Sequence, residues 1–389
     1  MPAAAPPITD TQARQFADLG ASLRARRKQL KVNATTAAQA AGLSRPTLYR
    51  IERGEPSVTL GAYGAAAAAL GLEFRLADPH AAPSMHSADA VLPPQIVLAD
   101  YPQLKRLAWQ LPGAKALTPQ EALNLYERNW RHVDVAALTP RERILVQQLA
   151  ATLGGGNCLF SRPHHRRIAT VLLMLDAGKL DACHCLFGGG TAMTLRYGEY
   201  RESVDIDFLV SDQAGYRQLR QQLASPDGLQ AIARPGCVLA HLREVRTDQY
   251  GIRTVLQVED VAIKFEIVFE ARIALATPAD ADRLCGVSTL TPLDMAASKL
   301  LANADRWADA SVFSRDLIDL AMMQPSRELL AQAMTKASQA YGDSVATALA
   351  KAIQHLQDHP HRLRECMGYM GMIEAPAVVW RRIKALGRQ

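Results

Sequence analysis

Long apolar runs are missing from this chain: no hydrophobic stretch reaches the roughly 20 residues that a bilayer-spanning helix needs, which excludes an α-helical membrane enzyme or transporter. The opening residues, MPAAAPPITD, have neither a basic start nor an apolar core of the kind a secretory leader requires, so the cytoplasm is the expected location. Cysteine is sparse. Six occur in 389 residues, at 158, 183, 185, 237, 285 and 366, without regular spacing. That excludes a disulfide framework as the basis of the fold and leads us to expect reduced thiols packed as small hydrophobes. Cys183-His184-Cys185 has no second CxxC or HxxxH group to complete four zinc ligands, so a structural zinc is not expected.

What is present is an excess of cation. Lys and Arg total 44 against 38 Asp and Glu, a net charge of +6 that suits a phosphate-rich partner. At roughly 150 residues per domain, the chain should form two or three domains. The segment from Phe187 to Val210, FGGGTAMTLRYGEYRESVDIDFLV, carries the densest chemistry. Gly188, Gly189 and Gly190 remove side chains so that backbone N–H groups can approach a triphosphate, and Thr191 adds a hydroxyl where the next helix would begin. In Val204-Asp205-Ile206-Asp207-Phe208-Leu209, a period of two sends both aspartates to one face and Ile206 and Phe208 to the core. Two carboxylates held this close repel unless a cation sits between them. Magnesium, or manganese in its place, suits hard oxygen ligands that also bind substrate phosphates.

Toward the N-terminus, several short helices are expected between residues 12 and 76. Ser44 is a good cap and Pro46 suits a first helical turn, so a helix should start there and stop before Gly54. Leu48 and Ile51 then face inward and leave Arg45, Tyr49 and Arg50 outward, where a recognition helix presents residues to the major groove. On LRARRKQL, AAQAAGLSRPTLYRIERG and AALGLEF, this segment resembles the Xre/Cro helix-turn-helix family. The resemblance implies a five-helix domain that binds operator DNA and an ion pair between Arg27 and Glu52. Ala34 replaces the glutamine that commonly opens the second helix, which bears on affinity or sequence choice. Paired half-sites make a homodimer the expected state.

Residues 79–94, rich in Ala, Pro and Ser, read as a linker that permits independent domain motion. Residues 95–160 read as a helical connecting segment, with Trp109, Trp130 and Tyr126 as packing residues. His164, His165, Arg166 and Arg167 read as a solvated basic face, with an RNA backbone as the alternative role. Beyond the DxD strand, LREVRT, TVLQVEDV and VAIKFEIVFEARI read as an antiparallel meander. Glu266 is the candidate third metal carboxylate from a neighbouring strand; an ordinary surface pair with Lys264 explains the same letters. Farther on, the helix opened by Thr291-Pro292 offers Lys299 for triphosphate charge, and SVFSRDLIDLAMM places Asp316 one turn from Asp319 and beside Arg315.

Taken together, GGGTAMTLRYGEYRESVDIDFLV, SKLLANADRW and FSRDLIDL resemble the AbiEii/AbiGii toxin family of nucleotidyltransferases, across about residues 160 to 325. The resemblance implies a polymerase-β-like α/β fold, an NTP donor, and an RNA acceptor, above all the tRNA 3′ end. By carry-over Asp205 and Asp207 bind the metal, Gly189 to Thr191 hold phosphate, Lys299 neutralises charge and Asp316 acts as base; Arg201 and Arg315 are further nucleotide-binding candidates. The expectation is therefore a multi-domain chain: an all-α helix-turn-helix domain over 1–78, the linker, the helical segment, and an α/β nucleotidyltransferase with a helical C-terminal part over 161–389. Its expected role is a toxin-antitoxin-type transferase, restrained and autoregulated through the fused domain. The alternatives are a transcription regulator that only senses nucleotide and a protein-NMPylating enzyme.

Overall fold

The computed structural model describes residues 9–74, 95–110, 115–129, 160–387 and single positions between 139 and 149. The expected linker at 79–94 lies outside the described residues, as does Trp130. In chain order the first helices are α1 (Asp10–Gln29), α2 (Ala34–Ala41), α3 (Arg45–Glu52) and α4 (Leu60–Ala69). Each begins at a residue whose side-chain oxygen accepts a backbone N–H from the first turn: Thr9, Asn33, Ser44 and Thr59. Arg27 grips Glu52 through two bonds, Nε to Oε1 at 2.6 Å and Nη2 to Oε2 at 2.9 Å, and so ties α1 to α3.

Next come β1 (Ile96–Val97), α5 (Pro102–Leu107), β2 (Ala116–Leu117) and α6 (Pro119–Asn129). They share a core around Ile96, Leu104, Leu123 and Tyr126. Into it reaches Glu142, fully buried, which accepts Leu104 N–H and Tyr126 O–H at 2.8 Å each and so answers the orphan donors at the start of α5. Tyr126 packs as expected, whereas Trp109 is 73% exposed.

Then follow α7 (Pro163–Met174), α8 (Ala177–Ala182), β3 (Leu186–Gly188), α9 (Gly189–Arg196), β4 (Ile206–Val210), α10 (Gln213–Leu223), β5 (Arg246–Thr247), β6 (Gly251–Val258) and β7 (Val261–Phe269). Strands β3 to β7 make one mixed sheet in the order β3-β4-β7-β6-β5. β5, β6 and β7 form the antiparallel meander, and β7 lies parallel to β4. Helices α9 and α10 pack against β4. The centre of the sheet is apolar: Phe187, Phe208 and Phe265 pack as tilted rings across β3, β4 and β7 with ring centroids 5.4 and 5.7 Å apart. Cys285 stands in a disulfide, contrary to the expected reduced thiols, while Cys183, Cys185, Cys237 and Cys366 are free.

The chain finishes in six helices, α11 (Pro292–Arg306), α12 (Arg315–Met323), α13 (Arg327–Tyr341), α14 (Ser344–Asp358), α15 (Pro360–Tyr369) and α16 (Pro376–Leu386). The compact units are not contiguous in sequence: Met1–Ala81 associates with Pro292–Gln389, and Ala82–Thr291 forms the other unit. Within the first, α2 packs on α15 and α16. The N-terminal helices thus pack with the C-terminal ones in one unit. Among the described residues no helix is long and apolar enough to cross a membrane.

Candidate functional site

Sheet register assembles the acidic site. Asp207 lies opposite Gly188 of β3 on one side and opposite Glu266 of β7 on the other. Ile206 and Phe208 are fully buried, and the half-buried Asp205 and Asp207 alternate with them onto the other face. Gly189 turns the chain from β3 into α9 with φ +67°, and a Cβ placed on it would lie 2.4 Å from Asp207 Oδ2. Loop backbone and carboxylate are therefore in direct apposition, a closeness only glycine allows. Thr191, fully buried, places Oγ1 2.5 Å from the Asp205 carbonyl oxygen, to which it donates, and 2.8 Å from Ser203 Oγ. Its hydroxyl thus holds the segment that carries the carboxylates. Arg201 is 5% exposed; its Nη1 donates to Glu202 O at 2.8 Å, and its Nη2 lies 2.4 Å from where a Cβ on Gly190 would stand. The guanidinium leans over the glycine loop.

Glu266 sits beside this pair but is held by cations. Arg253 Nε donates to its Oε1 at 2.5 Å and Lys264 Nζ to its Oε2 at 2.6 Å. Burial pushes the Glu266 carboxyl up, and the bonds from Lys264 and Arg253 outweigh it and leave the group below the usual carboxylate range. Lys264 is pushed up, first by its bond to Glu266 and, at longer range, by Asp207 and Asp205. One ammonium thus stands in the field of three carboxylates. Among the described residues, no group of three or more His, Cys, Asp or Glu forms a ready metal cluster. The donor set still fits a hard divalent cation, because carboxylate oxygens on one face adjoin a cradle that a Cβ would fill. Asp205 and Asp207 would hold it, and Glu266 would join only by giving up a cation. Gly189→Ala is expected to weaken Mn²⁺ binding by about 10–100-fold, since the methyl displaces the Asp207 carboxylate. A titration followed by the Mn²⁺ electron paramagnetic resonance signal checks this, and unchanged affinity would refute it.

Lys299, Asp316 and Arg315 belong to the other unit. Lys299 Nζ bonds Asp316 Oδ1 at 3.0 Å and Asp319 Oδ2 at 2.7 Å, and Arg306 adds Nε and Nη2 to Asp316 at 2.7 and 3.0 Å. Burial pushes the Asp316 carboxyl up, and the Lys299 and Arg306 charges and bonds draw it below its ordinary value. Arg315 is exposed. On α3, Arg45 and Tyr49 are exposed, while Arg50 donates to Glu55 Oε2 at 2.6 Å and Ser57 Oγ at 2.7 Å. Arg53, absent from the sequence candidates, covers the Tyr49 ring at 5.5 Å and extends that basic face.

Sequence reasoning also missed His165 and Glu199. His165 is fully buried against Glu199 instead of solvated, and the only sign of this in the sequence is a histidine placed at the start of an apolar helix.

The model of the family described as nucleotidyl transferase AbiEii toxin, of type IV toxin-antitoxin systems, matches residues 173–383, and a helix-turn-helix domain model matches residues 18–78. No curated protein matches. A solved structure, JHP933 from Helicobacter pylori, aligns at 16% identity over 57% of this chain and 90% of its own, with a TM-score of 0.34. A second H. pylori structure, provisionally described as a nucleotidyltransferase, aligns at 15% identity over 59% of this chain and 96% of its own, with a TM-score of 0.36. That likeness is too weak to carry structure or function across.

Proposed function

Because the chain belongs to the AbiEii nucleotidyl transferase toxin family, we propose that it transfers NMP from an NTP to an RNA acceptor, the 3′ end of tRNA, and binds its own operator through the helix-turn-helix domain. One observation supports this above the others: Asp205 and Asp207 alternate onto one face at a glycine turn whose backbone touches Asp207. A magnesium or manganese ion held by the two carboxylates would supply charge neutralisation at the reacting phosphate. The chain's own groups do the rest. N–H groups of the loop from Gly188 to Gly190 bind phosphate oxygens, and Arg201 adds a buried positive charge above Gly190. The acceptor hydroxyl oxygen bonds to the α-phosphorus, the bond from that phosphorus to the bridging oxygen breaks, and pyrophosphate leaves while the hydroxyl proton passes to a carboxylate. Lys299 and Asp316, expected as the charge-neutralising lysine and the base, enter this proposal through the family resemblance alone, as does Arg315.

The exposed residues Arg45 and Tyr49, with Arg50, form the surface proposed to read the operator, in a homodimer working in the cytoplasm. Incubation with α-labelled NTPs, magnesium and total tRNA tests the enzyme reading. Label is expected at the RNA 3′ end, and Asp207→Asn should reduce it by about 10³-fold. Absence of label with the wild-type chain, or full activity in Asp207→Asn, refutes the reading. Label on protein in place of RNA would make the chain an NMPylating enzyme.

A further inference from the structure

Just ahead of Asp205, two consecutive histidines at the start of α7 grip the backbone. His164 Nε2 donates to the Val204 carbonyl at 2.9 Å, and His165 Nε2 accepts the Ser203 N–H at 3.2 Å. An accepting Nε2 puts the His165 proton on Nδ1, which donates to Glu199 Oε1 at 2.8 Å. Glu199 is itself over-determined. Its φ of +52° lies in the left-handed region that non-glycine residues rarely adopt. It is held there because its carboxylate also accepts Ser161 N–H at 2.6 Å, Ser161 Oγ–H at 2.8 Å and Arg162 N–H at 3.1 Å. The same oxygens cap α7, whose N-cap residue Arg162 provides no side-chain cap of its own. Thr191 of α9 also fastens Ser203 and Asp205. The segment from 203 to 205 is thus fixed between α7 and α9 by side chains that lie outside the carboxylate motif.

We propose that Glu199, His165 and His164 are positioning residues, which set the Ser203–Val204 backbone so that Asp205 and Asp207 converge on one divalent cation. The inference rests on the nucleotidyl-transfer reading for the purpose of that cation, but cation binding alone tests it. Strain of the Glu199 kind costs about 1–3 kcal/mol and persists only where surrounding bonds enforce it. A purely structural helix cap needs neither that strain nor a ring aimed at the backbone beside a metal carboxylate.

Two substitutions separate the roles. His165→Asn keeps a donor where Nδ1 stands, so Glu199 stays bonded, but it cannot reach Ser203; His165→Gln reaches Ser203 with its amide oxygen and gives up Glu199. Mn²⁺ is titrated against each full-length variant by electron paramagnetic resonance, alongside thermal unfolding and NTP kinetics. The Asn variant should melt near the wild type yet bind Mn²⁺ about tenfold more weakly, with kcat lowered by a similar factor and the NTP KM unchanged. The Gln variant should melt lower yet retain Mn²⁺ affinity. If His165→Asn does not fold, His164→Ala carries the test, with a loss of about tenfold expected, the low end of such effects. Wild-type Mn²⁺ affinity in both His165→Asn and His164→Ala overturns the positioning role. No Mn²⁺ binding by the wild-type chain overturns the carboxylate site itself and the proposal with it.

Discussion

Lys299→Ala is expected to lower the stability of the full chain by about 3–5 kcal/mol, because it removes the ammonium that bonds two buried carboxylates at once. Lys299 is 7% exposed, Asp316 3% and Asp319 0%. One ammonium serves both carboxylates, and Arg306 reaches Asp316 from the rim. Removing the lysine leaves Asp316 and Asp319, one turn apart on α12, as two like charges facing α11 in a low-dielectric core. The double variant Lys299→Met/Asp319→Asn should recover much of the loss, since it removes charge from both sides. Acid dependence carries the sign. The Asp316 carboxyl is drawn below its ordinary value, so its stabilising contribution is complete above the ordinary Asp range and is lost as pH falls through its lower folded value. Lys299→Ala should move that acid loss toward higher pH. Urea unfolding at several pH values measures both effects. Wild-type stability in Lys299→Ala together with lost nucleotidyl transfer would instead place the lysine in the catalytic set, as the motif suggested.

Deletion of residues 1–81 is expected to yield an aggregating chain, not a more active one. The sequence had suggested a tethered module whose removal releases a restrained toxin. In the structure α16 is half the floor on which that module sits. Trp380 Nε1 and Lys384 Nζ donate to Gln39 Oε1 at 3.4 and 2.9 Å, and Arg381 Nη1 donates to the carbonyls of Leu30 and Lys31 at 2.7 and 2.8 Å. Those carbonyls lie at the end of α1, where no intrahelical partner exists. Truncation orphans these donors and uncovers apolar surface on α15 and α16. Each large apolar side chain exposed in this way forfeits about 1.5–3 kcal/mol, and the uncovered patch promotes association. Light scattering and unfolding of the truncated chain test this. A monomeric, stable truncation with raised toxicity would refute the docking account and restore tethered restraint.

Local pattern was legible where the physics is local. Ser44 and Pro46 announced α3, and the alternation around Asp205 announced which side chains of β4 enter the core. The Arg27–Glu52 pair followed from family resemblance and is present. Contacts between distant residues were not legible. Nothing in the letters says that Arg253 of β6 holds Glu266, because that depends on which strand pairs with which and in what register. His165 read as solvated because its partner Glu199 lies 34 residues away, on a turn whose backbone only tertiary bonds stabilise.

Taken alone, the amino-acid order determined the helix starts, the strand period, the glycine turn and the acidic pair, since these are set by steric and capping preferences within a few residues. Tertiary structure decided which distant charges neutralise which: Glu266 with Arg253, Lys299 with both Asp316 and Asp319. It also joined the N-terminal helices to the last ones in the chain. Burying a charge or an amphipathic helix face is favourable only against a complementary surface, and chain folding alone brings such surfaces together.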